Sequence, residues 1–186
     1  MIFDPTAYGG EVAAILALDA GGQRLMPLAG SRCSSPRARA MLQGAAARRL
    51  FPHARAPEAA LAGLFLYFSC WDEAHEAAQD LSTPEGAWWH GIAHRQEPDA
   101  GNATYWFRQA GAHRLFPALR EWAADISIEF GPFWQPLAFI DLCERARLQP
   151  GSELDKKALL VQRAEWQLLF DFCAATVPPP AAAGPA

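Results

Sequence analysis

The chain has 186 residues, of which 51% are hydrophobic and 19% charged, with a formal net charge of −4. That length fits one domain, and the apolar content excludes a chain disordered throughout. There is no basic tract, and the longest apolar runs, such as residues 61–68, are far too short to span a bilayer, so neither nucleic acid nor membrane is expected as a partner.

Ala is abundant, Val and Ile are sparse, and no stretch alternates in polarity, which points to an all-α fold. Residues 6–20 read as a first helix ended by Gly21-Gly22, followed by a loop over 21–34. Ser35-Pro36 is an N-cap and first-turn proline for a helix to about Leu50. Pro57 opens the next helix, with a break near Ser69-Cys70. A short helix then runs from Trp71 to Gln79. Thr83-Pro84-Glu85 starts a helix that Pro98 stops. Asp99 or Asn102 caps another, which ends at Gly111. Further helices are expected over 113–124, from Gly131-Pro132 to about Leu148, and over 153–175. The expectation is one domain over 1–177, with seven to nine mostly short helices, partly tetratricopeptide-like pairs, and a disordered Pro/Ala/Gly tail over 178–186.

The four cysteines, Cys33, Cys70, Cys143 and Cys173, are scattered without a C-x-x-C motif. The N-terminus also lacks a basic signal-type region. Both features are expected of reduced thiols in a cytoplasmic protein.

The chemistry concentrates in residues 88–99, which hold two Trp, two His, one Arg and two carboxylates. On a helix, His90, His94 and Glu97 are spaced i, i+4, i+7 and share one stripe. Ala87 and Gly91 leave room beside the imidazoles. A His pair at i, i+4 can offer two nitrogens to one metal, and the preceding helix adds Asp72 and His75 at i, i+3. His90, His94, Glu97 and His75 are the candidate catalytic residues. His90, His94, His75 and Asp72 are the candidate ligands for a divalent metal such as zinc, iron or manganese. Gly91 follows His90 where a metalloprotease would carry Glu, so the H-E-x-x-H motif is absent.

Arg95 points away from the stripe, as an anion clamp or as the partner of a local carboxylate such as Glu85 or Asp99. Asn102 reads as a cap or ligand contact, and Tyr105 as core or pocket wall. Four of the seven Trp fall between 71 and 106, so Trp89 and Trp106 are candidates to line a pocket for a small polar or anionic molecule. Asp141 and Glu165 are carboxylates at apolar positions and need partners, among them the central His or Arg residues, Arg145, Arg163 or water.

The strings Trp71-Asp72-Glu73-Ala74-His75, Trp89-His90-Gly91-Ile92 with His94-Arg95 and Glu97-Pro98-Asp99, and Asn102-Ala103 with Tyr105-Trp106-Phe107-Arg108 resemble a family of bacterial and fungal proteins of uncharacterised function. The resemblance implies a self-contained module centred on this string and carries no activity. Arg108-Gln109 stands where that family has an Arg pair, which counts against a two-Arg anion clamp. Two functions follow from the residues. One is a small enzyme whose His/carboxylate pocket, with or without metal, acts on a small polar substrate. The other is a helical binding or interaction module in which the same residues form a structural polar network.

Overall fold

The computed structural model describes residues 3–176, and the regular elements within that span are helical. A 3-10 turn at Pro5–Tyr8 leads into α1 (Gly10–Leu16), and a long loop precedes α2 (Pro36–Gln43) and α3 (Ala47–Leu50). Then come α4 (Pro57–Tyr67), α5 (Trp71–Gln79), α6 (Pro84–Gln96), α7 (Ala100–Ala110), α8 (Phe116–Asp125), α9 (Pro136–Arg147) and α10 (Glu153–Ala174). The expected tail over 178–186 lies outside the described residues. Among the described residues no helix is long and apolar enough to cross a membrane.

Local chemistry explains most helix starts. Proline opens α2, α4, α6 and α9, where a missing N–H costs nothing. The side chains of Ser35, Thr83, Asp99 and Ser152 accept first-turn N–H groups at the starts of α2, α6, α7 and α10.

Several boundaries differ from expectation, among them the end of α1 at Leu16 instead of residue 20 and the start of α8 at Phe116 instead of 113. Gly9, at φ +95°, breaks the first helix into a 3-10 turn and α1. The helix expected over 36–50 divides at Gly44, a weak helix former, into α2 and α3. The helix expected from Pro132 begins only at Pro136, because proline disfavours helical backbone at the preceding residue, and Gln135 is extended.

Helix α6 is the centre of the domain. It packs on α4, α5 and α7, and every residue from Gly86 to Gln96 is buried. Small residues permit this. A Cβ on Gly91 would lie 2.9 Å from the Phe107 ring, and one on Gly63 of α4 would lie 2.8 Å from the Trp89 ring. The space beside Gly91 therefore serves α7 packing, whereas the sequence suggested room for the imidazoles. Helix α10 forms the other wall and packs on α4, α8 and α9. Its Trp166 stacks on Phe170 at 4.8 Å and donates to the Gly63 carbonyl at 2.7 Å. Gln162 and Gln167 donate to the carbonyls of Met26 and Gly22, which hold the long loop against the core.

That loop brings a correction. Cys33 and Cys70 form a disulfide, Cα–Cα 4.4 Å, where reduced thiols were expected, while Cys143 and Cys173 are free and buried. Ser34 N–H donates to the Phe68 carbonyl at 2.7 Å, which lays the loop along the α4–α5 turn. Neither spacing nor motif betrays a pair separated by 37 positions.

Candidate metal centre

Helix α5 supplies His75, and α6 supplies His90 and His94. Trp71, one turn before His75, donates its indole N–H to the Ala93 carbonyl at 3.0 Å and sets the register of α5 against α6. The sequence showed Trp71 as a helix start and as one of the clustered Trp, and its i, i+4 spacing to His75 was the signal for this role. With the register set, the three imidazoles meet through the same atom. His90 Nε2 lies 2.9 Å from His75 Nε2, and His75 Nε2 lies 3.4 Å from His94 Nε2. Metal–nitrogen bonds of about 2.0–2.1 Å at tetrahedral angles separate ligand nitrogens by about 3.3–3.4 Å; the His75–His94 spacing matches this, the His75–His90 spacing is at hydrogen-bond length, and the ligand atoms of all three lie within 4.8 Å of one another.

The surroundings suit that use. Glu97 Oε2 lies 3.1 Å from His94 Nδ1 and accepts its proton, which leaves the Nε2 lone pair facing the cluster. With His94 so arranged, metal-free neutral imidazoles have one network that avoids facing lone pairs, in which a single His75 N–H is shared by two acceptors. A cation at the centre takes all three lone pairs. Burial, with His75 and His94 nearby, pushes His90 down to about 4. Burial and then His94 also lower His75, opposed by Glu97 and Asp72. Both rings are therefore neutral at physiological pH, the form that ligates.

Aromatic rings frame the cluster. Trp106 of α7 stacks on His90 with centroids 4.0 Å apart, and Trp71 lies 5.0 Å from His75. Tyr105 is 54% exposed and meets Trp106 edge-on. His75 is half-buried, and Glu97 keeps one face in solvent.

Of the other candidates, Asp99 alone has a ligand atom within 4.8 Å of those of His94 and Glu97. Asp72 is exposed and outside the convergent set. Asp99 and Asn102 pair with each other at the start of α7, both Asp99 oxygens being engaged by Asn102 at 3.0 and 2.7 Å. Trp89 is core, wedged against Gly63.

Arg95 is fully buried on the far side of α6. It meets Glu165 Oε2 at 2.5 Å rather than Glu85 or Asp99, and lies over the Phe139 ring at 4.5 Å. Trp88 donates to the other Glu165 oxygen at 2.9 Å. Arg147 of α9 donates to the Arg95 carbonyl at 2.7 Å, which ties down the C-terminal end of α6. Asp141, by contrast, is exposed to water.

No protein-family model, curated protein or solved structure matches the chain.

Proposed function

We propose that His75, His90 and His94 hold a divalent transition metal, zinc foremost, and that the protein is a small enzyme using it on a small polar substrate. The observation that carries this is the convergence of the three Nε2 atoms. Three protein nitrogens leave a tetrahedral ion one open position, as catalytic sites require, and a metal so held lowers the pKa of bound water to about 7. The chain's own groups have distinct tasks. Glu97 holds the His94 tautomer and is the nearest carboxylate able to accept a proton. Trp71 and Trp106 keep bulk water from the rings.

Elemental analysis of protein purified without chelator tests this reading. About one equivalent of zinc, iron or manganese is expected, lost in a His90→Ala/His94→Ala variant that keeps its helical circular dichroism. Cobalt(II) should give visible bands of a tetrahedral nitrogen site. Absence of metal after reconstitution, together with a collapse of thermal stability in the double variant, overturns the proposal and supports the structural polar network instead.

A further inference from the structure

A second site lies apart from the imidazoles. The end of α7, the face of α8 and the segment leading into α9 line a cleft of about 580 Å³ that is open to solvent on one side. That is well within the range of about 300–1,000 Å³ typical of small-molecule sites. Its walls are predominantly apolar, with Phe107, Phe116, Trp134 and Leu137 around it and Phe133, 72% exposed, at its edge.

Of the residues in the lining, Trp134 and Arg120 differ in what they present to it. Trp134 is 4% exposed, yet its indole N–H has no acceptor among the described residues. That nitrogen is itself sealed from solvent, so Trp134 lines the cavity through its ring and not through its N–H. Arg120 is the one permanently charged residue in the lining and forms no ion pair among the described residues. His113, also in the lining, has its pKa lowered, chiefly by burial, and adds no second charge at neutral pH. Aromatic walls and one unpaired cation define a complementary ligand.

We infer that this cavity binds a small aromatic or other flat apolar molecule bearing one carboxylate or comparable anionic group. The ring lies among the phenylalanines and Trp134, and the anion meets Arg120. The site is independent of the metal centre and stands or falls separately.

Calorimetric titration with 2-naphthoate tests it, with 2-naphthylmethanol and 2-naphthylmethylammonium as probes of the same shape and different charge. The full chain is expected to bind one equivalent of 2-naphthoate at least about tenfold more tightly than the alcohol, a factor worth about 1.4 kcal/mol, with the ammonium weakest. Arg120→Gln should erase that preference while the alcohol binds unchanged. Ala112→Trp places a ring in the cavity from an exposed loop position and should block all three probes. The inference is overturned if 2-naphthoate does not bind at millimolar concentration. Equal binding of the three probes, or binding undiminished in Ala112→Trp, overturns it as well.

Discussion

Arg95 of α6 and Glu165 of α10 form a fully buried ion pair at 2.5 Å, 70 positions apart in the chain. Burial is the largest single influence on the Arg95 guanidinium and would lower it, but the Glu165 charge and hydrogen bond, together with Cys143, turn the net shift upward. Removal of one partner strands a charge in a low-dielectric interior, whereas replacement of both by apolar groups does not. Arg95→Met or Glu165→Met alone should destabilise by about 3–5 kcal/mol, and the double variant should recover most of that loss. Denaturant titration of the four proteins checks it. Additive losses would show that the pair is not coupled.

The buried imidazoles make the metal-free protein sensitive to acid. Unfolded His takes up its proton near pH 6.5, but folded His90 does so only near 4. Between those values the unfolded chain holds more protons, so stability falls as pH drops. His75 and His113 shift in the same direction. Full stability is therefore expected above about pH 6.5, declining toward pH 4. Urea midpoints in EDTA should show this, with a flatter decline in His90→Gln. A midpoint constant from pH 7.5 to 5 contradicts it.

Glu97 touches His94 through Nδ1 and lies outside the three-nitrogen set. Glu97→Gln should leave the fold intact but weaken metal binding by about 10–100-fold, the usual effect of losing an outer carboxylate. Competition with a chromophoric chelator measures it. Unchanged affinity would show that Glu97 does not orient the ring.

The Cys33–Cys70 bond closes a loop of 37 positions. Chain-entropy bookkeeping gives such a link about 4 kcal/mol. A Cys33→Ser/Cys70→Ser variant, or addition of a reductant, should lower the melting temperature by roughly 8–16 °C at about 2–4 °C per kcal/mol. A melting temperature indifferent to reductant refutes the link.

Gly91 tests the packing of the central helix. Gly91→Ala places a methyl 2.9 Å from the Phe107 ring and should destabilise by about 1–3 kcal/mol despite alanine's better helix propensity. A gain in stability on thermal melting would show that α6 and α7 can separate to admit it.

Much of this protein is written locally. The Thr83 cap, the Pro84 start and the stop before Pro98 placed α6 within a residue, because caps and prolines act on adjacent backbone. The stripe of His90 and His94 was legible for the same reason, since helical periodicity is set by neighbours. Composition excluded strands, and the described residues contain none beyond an isolated bridge between Ala54 and Thr176. Where tertiary contacts decide, the sequence was silent or misleading. Glu165 stood out as a carboxylate in an apolar stripe, but only packing of α10 against α6 made Arg95 its partner, while Asp141 turned to water. Cys33 and Cys70 meet because a loop lies along the α4–α5 turn, a path no spacing encodes. The sequence by itself determined the helices and which residues share a face of each. Only the tertiary structure decided that His75 joins His90 and His94, because the distance between nitrogens on two helices depends on their register, here set by Trp71 against the Ala93 carbonyl.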